Sequence, residues 1–168
     1  MTYKDKLKMT LAEMATNVLD KDKLENFMDF IAFVKENKMT LRRPSTYTWE
    51  VSYKKVSICT ANLYSVERYK PDGSWSIRPN NHLFDDLGKS VTDADLQALI
   101  LNAMNYILCR GCSGGQCMGR ETLTIFGKEF SGVCSGSPIM IISPEGEALE
   151  HAKELTLITK KLIADRQS

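Results

Sequence analysis

Apolar residues recur along this chain with two different periods, and the switches between them mark out its elements. After Thr10, the residues Leu11, Met14, Ala15, Val18 and Leu19 return at the intervals that line one face of an α-helix. Thr10 precedes Glu13 by the separation at which each side chain can satisfy the other's backbone N–H, so a helix starts there. Asp20 is placed to cap a second helix, with Leu19 and Leu24 as its hydrophobic staple. Leu24, Phe27, Met28, Ile31 and Val34 form its stripe and predict a helix to Asn37.

From Tyr47 the period becomes two. Trp49, Val51 and Tyr53 alternate with polar residues, Lys54-Lys55 makes a two-residue turn, and Val56 and Ile58 resume the alternation, which predicts a β-hairpin. Pairing across that turn sets Tyr53 opposite Val56 and Val51 opposite Ile58, with Cys59, Ala61 and Leu63 on the other face. Pro71-Asp72-Gly73 reads as a turn, and Trp75 and Ile77 as a strand that Pro79 ends. A polar connection over residues 80–90 follows. Thr92 with Asp95 repeats the capping-box spacing before Leu96, Leu99, Ile100, Ala103 and Ile107, a helix that Gly111 would terminate.

Residues 122–126 and 129–134 flank Gly127-Lys128 as a further hairpin, and residues 139–142 form a buried strand. Ser143-Pro144 predicts a helix start with proline at the first helical position, carried to the end by Leu149, Ala152, Leu155, Thr159, Leu162 and Ile163. This order lacks the strict strand–helix alternation of a parallel sheet. It predicts an α+β fold: an antiparallel sheet of about five to six strands with helices mainly on one face. The 168 residues suit a single domain spanning residues 1–168, with a helical amino-terminal part over 10–38 and a cysteine-rich loop over 109–121.

Composition narrows the functional classes. Lys+Arg number 22 against 21 Asp+Glu, so the chain lacks the basic excess of a phosphate-backbone binder, and nucleic acid is not an expected partner. Apolar runs such as residues 139–142 are far too short for a membrane span, and no signal-peptide pattern follows the lysine-rich amino terminus. Five cysteines, an odd number, fit poorly with a fully paired secreted framework. The expected setting is the cytoplasm.

Four of these cysteines carry the strongest chemical signal. Cys109, Cys112, Cys117 and Cys134 are spaced C-x2-C-x4-C-x16-C among glycines at 111, 114 and 115. Zinc is held by four soft ligands in a tetrahedron, with one pair close in sequence on a tight turn, and these residues are a candidate ligand set. The second C-x2-C pair of common zinc modules is missing, and the plant-type iron–sulfur order is reversed. Disulfides and unliganded thiols stay open as alternatives. A thiol redox enzyme or sensor using Cys109, Cys112 and Cys117 is the rival function, although Cys109 at a helix carboxyl end lacks the positive dipole that activates such thiols.

The remaining candidates have plainer readings. Cys59, beside Ala61 and Leu63, reads as a small buried apolar residue. His151 reads as a solvated helix residue, and His82, beside Asp85 and Asp86, could reach a ligand or metal. Trp49, Tyr53, Trp75 and Tyr106 could line a pocket, but at these periods they read first as core. Arg42-Arg43 is a small basic spot, and phosphate-loop, nucleophile-elbow and dinucleotide fingerprints do not occur.

The segment from Cys109-Arg110-Gly111-Cys112 through Cys117, then Thr124-Ile125-Phe126-Gly127-Lys128-Glu129-Phe130, Val133-Cys134 and the helix after Pro144, resembles a family of small cysteine-containing bacterial proteins of the anaerobic Gram-positive type with no assigned activity. The resemblance covers residues 100–165, and more loosely the hairpin around Trp49 and Tyr53. It implies a cytoplasmic setting and adds no chemistry. The expectation is a non-enzymatic module, pinned by a cysteine-ligated zinc, that binds a small molecule or a protein.

Overall fold

The structure, a computed structural model, describes residues 9–64, 73–104, 120–136 and 138–167, except the side chains of Leu83 and Arg120. Helix α1, Leu11–Val18, begins with the full capping box: the Thr10 N–H donates to the Glu13 carboxylate at 2.7 Å, and Thr10 Oγ1 accepts from the Glu13 N–H. Asp20 caps α2, Lys21–Glu36, by accepting from the Lys23 N–H, and α2 buries Phe27, Phe30, Ile31 and Val34. Both helix starts lie where the side-chain spacing puts them.

Strand β1, Thr40–Ser45, is followed by β2, Thr48–Tyr53, β3, Val56–Tyr64, and β4, Ser74–Pro79. They form an antiparallel sheet in the order β1-β2-β3-β4-β7, completed by the two-residue β7, Ile141–Ile142. The sequence pattern did not reveal β1, because Arg42-Arg43-Pro44 breaks any apolar alternation. As an edge strand β1 tolerates Pro44, and its register slips between Arg42 and Ser45. Arg43 is committed locally, donating to the Thr46 and Met9 carbonyls and lying 5.3 Å over the Trp49 ring.

Tyr53 faces Val56 as the hairpin pattern predicts, but Val51 pairs with Cys59 rather than Ile58. A β-bulge between Val51 and Ser52 shifts the register, so Val51 joins Cys59 and Pro79 in one row. Lys54 and Lys55 both have positive φ, 47° and 69°, the conformation of a type I′ turn made without glycine.

The registers sort the sheet into two chemically distinct faces. Trp49, Ala61, Ile77 and Ile141 lie abreast, all buried, and Leu63 pairs with Trp75 in the same phase. This is the helix-covered face: Phe27 meets the Trp49 and Trp75 rings edge-on at 6.2 and 5.3 Å, and Phe30 lies 6.0 Å from Trp75. The intervening rows are polar: Thr48, Asn62 and Ser76 in one, Glu50, Thr60 and Arg78 in the next.

After β4, the expected polar connection contains a 3-10 turn, Asn81–Leu83, and helix α3, Phe84–Ser90. Phe84 and Leu87 are buried, a two-residue apolar stripe that Asp85, Asp86 and Gly88 dilute below recognition. Helix α4, Ala94–Asn102, is capped by Asp93, not Thr92: Asp93 Oδ1 accepts from the Asp95 and Leu96 N–H groups at 3.0 and 2.9 Å. It ends at Asn102, with Ala103 as its C-cap and Met104 in a bridge to Ile139, so it stops short of the expected run through Ile107 to Gly111 and does not place Cys109 at its carboxyl end; residues 105–111 lie outside the described residues. Strands β5, Arg120–Ile125, and β6, Lys128–Cys134, form a separate antiparallel pair about Phe126-Gly127, both of positive φ.

Helix α5, Gly146–Arg166, starts two residues beyond Pro144, with no side-chain cap. Ser143 serves the sheet instead: its N–H donates to the Trp75 carbonyl at 2.8 Å, and its Oγ accepts from the Trp75 N–H at 3.2 Å. The α5 stripe buries Leu149, Ala152, Leu155, Thr159 and Ile163, with Thr156 and Thr159 returning their hydroxyls to the carbonyls of Ala152 and Leu155.

Trp75, with none of its surface exposed, should carry much of the stability. Trp75→Ala is expected to lower the unfolding free energy by about 3–5 kcal/mol in urea titration. Trp75→Phe should cost less, since it keeps an aromatic partner for Phe27 and removes an indole N–H that has no acceptor among the described residues. A loss under about 1 kcal/mol for the alanine variant would contradict this role.

Candidate functional site

Of the four candidate cysteines, Cys109, Cys112 and Cys117 lie outside the described residues, and Cys134 ends β6. Cys134 is a buried, unbridged thiol with 7% of its surface exposed. Its position is fixed by pairing with Arg120, the first described residue after the segment that carries the other three. The residues before that segment are fixed nearby. Met104 forms an antiparallel bridge with Ile139, and the Met140 N–H donates to the Ala103 carbonyl at 2.8 Å. Both flanks of residues 105–119 are therefore held against the stretch that begins at Cys134. Among the described residues no three His, Cys, Asp or Glu side chains form a metal-sized group.

A polar cavity of about 190 Å3 opens where β3 begins and β4 ends, lined by Ser57, Cys59, Thr60, Arg78, Pro79, Asn80, Asn81 and Gly136. Antiparallel pairing creates it, since Thr60 lies opposite Arg78 and Cys59 opposite Pro79, while the Asn80 N–H donates to the Ile58 carbonyl at 2.9 Å. Asn81 ties the β6 end to this rim through a 3.1 Å bond from Nδ2 to the Ser135 carbonyl. The cavity is thus framed by the sheet on one side and the residues just after Cys134 on the other.

Among the described residues of the lining, Arg78 is the only ionised side chain. Its Nη2 donates to Tyr64 Oη, the guanidinium carbon sits 5.7 Å from the Tyr64 ring centroid, and Tyr64 Oη shares a 2.7 Å bond with Ser76 Oγ. Its Nε is buried with no hydrogen-bond partner, and no carboxylate pairs with Arg78 among the described residues. Thr60 Oγ1 accepts from Asn62 Nδ2 at 3.0 Å, which leaves its own hydrogen to donate.

The other sequence candidates separate from this site. Trp49 and Trp75 belong to the core, Tyr53 lies under Lys160 at 4.9 Å, and Tyr106 is outside the described residues. The cavity is polar rather than aromatic. His82 is exposed on the 3-10 turn beside Asn81 and does not line the cavity, and Asp86 is engaged by Arg166. His151 is half-buried on α5 rather than fully solvated. Arg78, Asn80 and Asn81 were not singled out by the sequence, although Arg78 is the one cation in phase with Ser74 and Ser76 on a strand whose alternate positions are Trp75, Ile77 and Pro79.

Cys59 lies at the cavity wall but within the apolar core, and burial pushes its thiol from the usual value near 9 up to about 12. At neutral pH it stays a protonated thiol, which is not the nucleophilic form. The unfolded thiol ionises near 9 while the folded one stays protonated, so this group's contribution to stability is whole below pH 9 and is lost as pH rises toward 12. Cys59 should resist alkylation at pH 8 until denaturant is added. The wild type should lose stability between pH 9 and 12 more steeply than Cys59→Ala; parallel curves would refute the burial argument.

No family model matches the chain, and no curated protein or solved structure matches it, so its function is read from these residues and their geometry.

Proposed function

We propose that this protein is a non-enzymatic binding module of the cytoplasm in which a structural zinc, held by Cys109, Cys112, Cys117 and Cys134, fastens the segment between α4 and β5. The reading is carried by the anchoring of that segment. Its flanks are fixed at Met104 and Arg120, which pair with Ile139 and Cys134. In the sequence Cys117 is three residues before Arg120, the residue that pairs with Cys134. A buried thiol without a disulfide stands at the point to which the segment returns.

Four thiolates would fill a tetrahedral zinc and leave no coordination position for a substrate, hence a fastening role rather than catalysis. Recognition then falls to the cavity beside Arg78, whose volume of about 190 Å3 suits a small molecule better than a protein segment. The cytoplasm keeps unbridged thiols reduced and available to metal. No helix among the described residues is long and apolar enough to cross a membrane.

Elemental analysis of protein purified without chelator should give one zinc per chain, with the clustered thiols protected from a thiol reagent until denaturant is added. Cys134→Ser should retain less zinc and melt at a lower temperature than the wild type. Metal-free protein with several fast-reacting thiols would overturn the proposal in favour of a thiol redox function for Cys109, Cys112 and Cys117.

A further inference from the structure

We infer that the cavity between the β3 start and the β4 end binds an oxyanion, the carboxylate or phosphate group of a small molecule, with the Arg78 guanidinium as its charge partner. The inference rests on the small-molecule side of the function proposed above and is independent of the zinc.

Charge selects the class of ligand. Ser57, Cys59, Thr60, Pro79, Asn80, Asn81 and Gly136 line the cavity with no ionised group, and Arg78 adds one positive charge with no carboxylate to balance it among the described residues. A cation would meet repulsion there, and a neutral apolar group would meet hydroxyls and amides. The lining is instead rich in donors. Thr60 keeps its hydroxyl hydrogen because Asn62 fills its acceptor side, and Asn80 Oδ1 already accepts from the His82 N–H at 3.4 Å, leaving the amide nitrogen to donate.

Geometry shows that Arg78 is prepared rather than merely present. Tyr64 holds one end of the guanidinium through Nη2 and by its ring face, and Ser76 in turn holds the Tyr64 hydroxyl. Nε–H is buried with no partner among the described residues, and a donor left so costs free energy that an incoming oxygen acceptor would recover. A guanidinium presents parallel N–H groups that match the two oxygens of a carboxylate or phosphate, which a lysine ammonium cannot do. The volume is below the roughly 300 Å3 at which sites for drug-sized ligands begin, so the recognised group is small.

The test is nitrogen-15 NMR of the full chain, following the Arg78 side-chain Nε–H signal, assigned by its disappearance in Arg78→Lys. Inorganic phosphate, acetate and the neutral acetamide are titrated separately against sodium chloride at matched ionic strength. A saturable shift with phosphate alone assigns a phosphoryl ligand, and one with acetate a carboxylate. Either supports the inference. Arg78→Lys, followed by backbone amides of the lining, should bind at least about tenfold more weakly. Thr60→Val keeps the charge and removes one donor, so it should weaken binding several-fold and serves if the Arg78 variant does not fold.

Acetamide binding as tightly as acetate, or unchanged affinity in Arg78→Lys, would overturn the oxyanion class while leaving a cavity that binds small molecules. No saturable shift with any of the three would overturn the cavity as a small-molecule site. The zinc measurement is untouched by either result, so the two proposals fail separately.

Discussion

Trp75 has no exposed surface and is held by Phe27 edge-on at 5.3 Å and by Phe30 at 6.0 Å, so β4 can present only one of its faces to the helices. Side chains alternate along a strand, and a slip of one residue would expose the indole and drive Ser74, Ser76 and Arg78 into the core. Packing a large aromatic ring thereby fixes the register of a polar row on the opposite face. The position of Arg78 beside Thr60 follows from that register rather than from any contact of its own with the core.

The polar face is itself partly closed to solvent. Ser76 has none of its surface exposed and Asn62 only 8%, so their polar atoms need partners within the protein. They find them in each other's neighbours: Asn62 bridges Thr48 and Thr60, and Ser76 meets the Tyr64 hydroxyl. Among the described residues the network leaves Arg78 Nε, and Ser74 Oγ in the same phase of β4, without a partner. Arg78 also lines the cavity.

Much of this architecture can be read from residue order, and the parts that cannot share a cause. Thr10, Asp20 and the stripes of α2 and α5 declare themselves because a cap or a repeated apolar face is written locally. Strand β1 and helix α3 do not: Pro44 is allowed only by an edge position, and Phe84 with Leu87 is too short a stripe to stand out from its acidic neighbours. Asp93 in place of Thr92 is a choice between adjacent capping residues that only the backbone settles. Pro144 misleads because Ser143 is spent on Trp75, a partner far away in the chain. The cavity was not legible in the sequence. The cysteine spacing is a local signal, whereas the cavity joins Ser57, Arg78 and Gly136, and nothing in their separate surroundings says that they meet.

The bond between Trp75 and Ser143 spans 68 positions. Strands β1 to β4 are consecutive and pair in turn, so their contacts close comparatively short stretches of chain, while β7 can dock only after a large loop has been brought together. Sequence-distant pairing is slow to form, and the meander is expected to assemble ahead of its last strand. Met104 bridges Ile139, two residues before that last strand, so this contact belongs to the same late closure and forms only when a sheet already stands to receive it.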